Sequence, residues 1–125
     1  MNRLILESCL LLLRIEWLLQ FRNLQSIHDL VANCTLDEAK DLGERTSVPI
    51  CRAVDLACVF YPKQIFCLQR SAVTVILLRR YKIQAEMVIG AQLLPFKSHA
   101  WVEVDGIVVN DKPYMREIYA VLERC

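Results

Sequence analysis

The hydrophobic period of this chain changes at Tyr81. Before it, apolar residues return at helical spacing. After it, Ile83, Ala85, Met87 and Ile89 alternate with Gln84, Glu86 and Val88, which is the period of a strand. Helices followed by an antiparallel meander make an α+β domain. At 125 residues and 55% hydrophobic content the chain reads as a single domain with material for a real core.

The helical half divides at its turn signals. Residues 3–21 carry Leu4, Ile5, Cys9, Leu12, Leu13 and Leu19 near helical spacing, with Leu10, Leu11, Ile15, Trp17 and Leu18 widening the stripe. A helix apolar on more than one side is either buried or a docking surface. A short helix is expected over 24–33, with Ile27, Leu30 and Val31 inward and His28 exposed or capping. Thr35 and Glu38 form a capping-box start, and Gly43 ends that helix. Val48-Pro49 opens the next helix, with Pro49 in its first turn, and Tyr61-Pro62 stops it. The helix from Cys67 to about Arg80 is almost wholly apolar, through Leu68, Ala72, Val73, Val75, Ile76, Leu77 and Leu78, so it belongs at the centre of the fold. Arg79, Arg80 and Lys82 at its end suit the negative pole of the helix dipole.

In the stranded half, 83–89 is a strand and Gly90 to Lys97, with Pro95-Phe96, a loop. Ser98–Glu103 is a second strand, Asp105-Gly106 a turn, and 107–110 a third strand. The tail fits a helix through Met115, Ile118 and Leu122, and a fourth strand over Tyr119–Glu123; the strand is preferred.

Composition excludes several function classes. A net charge of +1 gives no sign of a nucleic-acid partner. The charge is uneven: residues 48–98 carry seven Lys/Arg against Asp55 and Glu86, which suits either an acidic peptide or a solvated helix face. Six cysteines, at 9, 34, 51, 58, 67 and 125, include no C-x-x-C pair, so zinc-ribbon and thioredoxin readings fail. Cys51 and Cys58 share a helix face and read as core packing, not as a metal pair. The longest uncharged stretch of the first helix, Ser8 to Leu13, is far short of the ~20 residues a membrane span needs. No small-residue cleavage site follows it, so the chain reads as a cytoplasmic protein with reduced thiols. With no Gly-rich phosphate loop, direct ATP use is unsupported, and no cofactor or metal is expected.

Three residues stand out against that background. Cys67 heads the central helix, and a helix amino terminus and a nearby imidazole both lower a thiol pKa. His99 lies in the strand Ser98-His99-Ala100-Trp101-Val102-Glu103, able to pack across that helix start. A base histidine needs a carboxylate on its other nitrogen, and Asp111 supplies one. Glu103 and Asp105 are rivals. Glu103 shares the face of His99 but lies roughly 13 Å along the strand, and Asp105 is accounted for by the turn. The backbone N–H of Cys67 is the candidate oxyanion donor, with the Gln64 amide as a lesser one. Trp101, on the His99 face, shields the histidine or lines a peptide groove.

The turn sets a geometric condition. A two-residue Asp105-Gly106 turn pairs Val104 with Ile107 and puts Asp111 opposite Ala100, on the face away from His99. A three-residue loop with Gly106 left-handed at a bulge pairs Glu103 with Ile107 and puts Asp111 directly opposite His99, with Cβ atoms ~5 Å apart. The expectation is therefore the three-residue loop.

The runs Phe66-Cys67-Leu68-Gln69-Arg70-Ser71, Leu77-Leu78-Arg79-Arg80, Val88-Ile89-Gly90, Pro95-Phe96, His99-Ala100-Trp101-Val102-Glu103 and Asn110-Asp111 resemble the transglutaminase-like leader peptidases of lasso peptide biosynthesis. The spacings are 32 from Cys to His and 12 from His to Asp. The resemblance covers residues 48–125; residues 1–47 match loosely, as a helical lead-in. It implies a papain/transglutaminase-like fold and a cysteine peptidase that cuts the leader from a ribosomal precursor peptide, with Cys67 as nucleophile, His99 as base and Asp111 as acid. It further implies the split form, lacking the leader-recognition domain. A separate leader-binding protein would then be a partner, beside a macrolactam synthetase. The apolar first helix, read from its own residues, is the expected docking surface for that protein. Two alternatives stay open: transglutaminase-type acyl transfer by the same residues, and a non-catalytic interaction module.

Overall fold

The computed structural model describes residues 2–21, 27, 29–31, 44–62, 65–81, 83–93 and 95–125. The expectations placed on His28, Cys34, Thr35, Glu38, Gly43 and Gln64 lie outside them.

Helix α1 spans Asn2–Phe21, α2 Glu44–Phe60 and α3 Cys67–Arg80. Helix α3 starts and stops where its sequence predicts. Phe66 before it is extended (φ −91°, ψ 170°), and the Gln69 side chain reaches back to accept the Phe66 N–H at 2.8 Å. That bond satisfies a donor the helix start leaves open. Every residue from Ser71 to Leu78 is buried, as an all-round apolar helix requires. Arg79 closes the far end with more than dipole complementarity. It donates to the carbonyls of Val31 (2.6 Å), Ala85 (3.0 Å) and Cys125 (2.8 Å), tying three distant segments to the end of α3.

Helix α2 corrects one expectation. It begins at Glu44, so Pro49 lies inside it. Pro49 forfeits one backbone bond there, and the helix continues past it to Phe60. Helix α1 is split by face. Leu11, Leu12 and Ile15 are buried, whereas Leu6, Leu10, Leu13, Trp17 and Phe21 form an exposed stripe. Gln69 Nε2 donates to Glu16, and Tyr81 Oη donates to Glu7 at 2.9 Å, so α1 is tied to α3 near both ends. Among the described residues no helix is long and apolar enough to cross a membrane.

Four strands follow: β1 Glu86–Leu93, β2 Phe96–Val104, β3 Ile107–Val108 and β4 Ala120–Arg124, with a short helix α4, Met115–Ile118, before β4. The sheet order is β3-β2-β1-β4, antiparallel throughout. The expected Gly90–Lys97 loop is mostly strand: β1 runs to Leu93 and β2 begins at Phe96, paired to it. Both readings of the tail hold in part, since it contains α4 and then β4.

The helices cover one face of the sheet. Leu12, Ile15, Val54, Ala57, Val73, Leu77, Met87, Val102 and Val104 form that core. Each large side chain so buried contributes ~1.5–3 kcal/mol. Val88, Trp101, Val108 and Met115, with Tyr119 against them, form a second, smaller core on the other face. This second layer explains why Met87 and Val88 are both buried despite the period of two.

Candidate active site

The Asp105-Gly106 turn is the two-residue form. Val104 pairs with Ile107 and Glu103 with Val108, while Asp105 (φ 52°) and Gly106 (φ 78°) are both left-handed. The expected three-residue loop is absent, yet Asp111 still meets His99: His99 Nε2 and Asp111 Oδ2 are 2.6 Å apart. The reason lies one residue earlier. Val109 N–H bonds the Val102 carbonyl at 3.0 Å, but the Val102 N–H is taken at 2.7 Å by the side-chain Oδ1 of Asn110. That side chain replaces a backbone carbonyl in the ladder. The chain leaves the sheet after Val108, and strand parity no longer governs which way Asp111 faces.

Asn110 also reaches the helix. Its Nδ2 donates to Ser71 Oγ at 3.1 Å, and Ser71 Oγ donates to the Ala100 carbonyl at 3.1 Å. Ser71 and Asn110 are both buried, so a satisfied polar network joins α3, β2 and the segment entering Asp111.

Cys67 is the first residue of α3 and is partly exposed. It shares a helix face with Arg70 and Ser71, three and four residues on. Ser71 touches the residue after His99. Arg70 places a guanidinium nitrogen 3.6 Å from Asp111 Oδ2 and another 3.8 Å from Asp55. Arg70, on the helix face headed by Cys67, thus reaches the Asp111 carboxylate that His99 also contacts. Among the described residues the buried Nε of Arg70 has no hydrogen-bond partner, and the guanidinium meets Asp111 and Asp55 through its other two nitrogens.

Burial pushes the Asp111 carboxyl up. The His99 hydrogen bond, the Lys112 N–H at 2.8 Å and the Arg70 charge outweigh it and hold Asp111 below the usual carboxylate range. The side chains of His99 and Asp111 are 23% and 15% exposed, which leaves the pair in reach of a substrate yet partly screened from water. Cys51 is a different kind of thiol. Burial, with Asp55 nearby, pushes it up to about 12. It is core filler, as its helical spacing predicts.

The rivals sit elsewhere. The buried Glu103 accepts from Trp101 Nε1 at 2.8 Å and from Arg124 at 3.1 Å, with Arg116 at 3.6 Å. Asp105 is a turn residue. Sequence reading missed Ser71, Arg70 and Asn110 as neighbours of the site. A polar residue inside an otherwise apolar helix, as Ser71 is, was the available signal.

The transglutaminase-like superfamily profile matches residues 9–124. The chain belongs to that superfamily. Its α+β architecture, a cysteine-headed central helix against a small antiparallel sheet, is the one expected from the residues. This superfamily member is also similar to the microcin J25-processing protein McjB of Escherichia coli, at 45% identity over 56 residues. That stretch is 45% of this chain and 27% of the relative. No solved structure matches.

Proposed function

We propose that this transglutaminase-like protein is a cytoplasmic cysteine peptidase that removes the leader from a ribosomally made lasso peptide precursor. Residues 48–125 form its peptidase core and residues 1–47 a helical lead-in. The observation that carries this reading is the 2.6 Å contact of His99 Nε2 with Asp111 Oδ2, an oxygen that Arg70 of the helix headed by Cys67 approaches to 3.6 Å. Similarity to a microcin-processing protein supports the substrate class. A separate leader-binding protein and a macrolactam synthetase are the proposed partners.

With Nε2 held by Asp111, Nδ1 of His99 is the nitrogen that takes the Cys67 proton. The thiolate attacks the carbonyl at the leader–core junction, and the backbone N–H of Cys67 stabilises the oxyanion. The imidazolium Nδ1–H protonates the leaving amine, which frees the core peptide. Nδ1 then takes a proton from water; the hydroxide cleaves the thioester, and the proton returns to the sulfur.

The test is mass spectrometry of a precursor incubated with the wild type and with Cys67→Ala, with and without the leader-binding partner. Free leader and free core from the wild type alone are expected. A cross-linked mass points to acyl transfer to an amine instead, and undiminished cleavage by Cys67→Ala overturns the reading.

A further inference from the structure

A hydrogen bond at Nε2 fixes one point of an imidazole. The plane of the ring is a separate matter, and the second core settles it. Tyr119 stacks on His99 with ring centroids 5.3 Å apart and planes 20° from parallel. Trp101 lies 6.2 Å from His99 at 27°, and Tyr119 lies 6.1 Å from Trp101 at 39°. Histidine, tyrosine and tryptophan form a three-ring cluster on the sheet face opposite the main core.

The backbone makes room for it. Gly90 in β1 pairs directly with His99, and the β1–β4 register shifts between Ile89 and Gly90. A Cβ at Gly90 would lie 2.7 Å from Trp101 Cη2, 2.9 Å from Trp101 Cζ3 and 2.9 Å from Tyr119 Cβ. Any side chain there would push the tryptophan or the tyrosine away from the histidine. A glycine inside a strand weakens it, and close approach of another group is the usual reason for one. The ring of Trp101 is itself anchored, because its Nε1 donates to the buried Glu103.

We propose that Tyr119 is a positioning residue that holds the imidazole plane of His99, with Trp101 as its backing, and that Gly90 is required to admit the pair. The proposal rests on the peptidase reading for its kinetic consequence, but not for its structural one. The flat face of residue 119 acts; its hydroxyl does not. Stacked rings prefer this offset arrangement, which restricts rotation about the histidine χ2 torsion. With the plane held, Nδ1 keeps one direction through the catalytic cycle.

The test compares Tyr119→Phe with Tyr119→Leu in the full chain, with Gly90→Ala as a second route to the same displacement. Tyr119→Phe is expected to match the wild type. Tyr119→Leu is expected to lower kcat for leader removal about 10- to 100-fold with KM changed less than about twofold, the scale of a small misplacement of a reacting group. The chain has two histidines, so a His28→Gln background leaves one imidazole for 15N NMR. In that background Tyr119→Leu and Gly90→Ala should move the His99 nitrogen shifts away from their wild-type values, and Tyr119→Phe should not. The NMR result does not depend on the chain being a peptidase. Failure of the clamp is therefore read separately from failure of the peptidase reading, which Cys67→Ala decides. Unchanged kcat and unchanged His99 shifts in Tyr119→Leu overturn the proposal. Equal impairment of Tyr119→Phe and Tyr119→Leu also overturns it, since the hydroxyl would then be the active part. Because Gly90→Ala also strains the strand, the Tyr119 pair carries the decision.

Discussion

Asn110 and Ser71 lie 39 residues apart and share a buried hydrogen bond of 3.1 Å. The bond fastens helix α3 to the segment that delivers Asp111, and both of its residues have further partners in β2.

Asn110→Ala strands the Val102 N–H and removes the donor to Ser71. An orphaned buried backbone group costs ~1–3 kcal/mol. Denaturant unfolding is expected to show a loss in that range, larger than for Ser71→Ala, which leaves the Asn110–Val102 bond in place. Leader removal by the folded fraction of Asn110→Ala should fall, because Asp111 loses the anchor that turns it toward His99. Equal stability of the variant and the wild type contradicts this account.

The His99–Asp111 pair should leave a mark on stability against pH. Asp111 is held below its ordinary range when folded, so its unfolded form binds protons first as pH drops. Its contribution is complete above the unfolded carboxylate value of ~3.9 and is lost as pH falls through the lower folded value. The stability difference between the wild type and Asp111→Asn is expected to be ~1.5 kcal/mol at neutral pH, the scale of a charged hydrogen bond. It should shrink steadily below about pH 4. A difference that grows on acidification contradicts the assignment.

Glu103 and Asp111 can be separated by substitution. Glu103→Ala removes the acceptor of Trp101 Nε1 and the partner of Arg124 in a buried place, at a cost of ~1–3 kcal/mol. Glu103→Gln keeps an acceptor for the indole and should preserve most leader removal. Asp111→Ala should do the reverse, lowering kcat by at least ~100-fold with a smaller loss of melting temperature. Loss of activity in Glu103→Gln with activity kept in Asp111→Ala would move the acid to Glu103.

The thiols should divide by reactivity. Cys51, pushed up to about 12, should resist iodoacetamide at pH 7.5 until the protein unfolds. Cys67 should be modified in the native state, with leader removal lost in proportion. Peptide mapping after brief alkylation checks both, and native-state labelling of Cys51 ahead of Cys67 contradicts the site.

Several features were legible in the residues alone because the forces behind them are local. The span of α3, the change of period at Tyr81 and the stop at Tyr61-Pro62 follow from spacing, capping and proline geometry, each read within a few residues. Cys67, His99 and Asp111 are candidates by residue type and order alone. Gly90 misled for a physical reason. Glycine marks a loop by its freedom, but here it serves by its small volume beside Trp101, a fact visible only once β2 lies against β1. The register of Asp111 misled likewise. Strand alternation holds while backbone pairs with backbone, and the side chain of Asn110 interrupts that pairing with help from a helix 39 residues away. Sequence by itself determined which groups are available and which local element carries each one. Only the tertiary structure decided that Asp111 turns to His99, because a long-range hydrogen bond, and not the period of a strand, sets that direction.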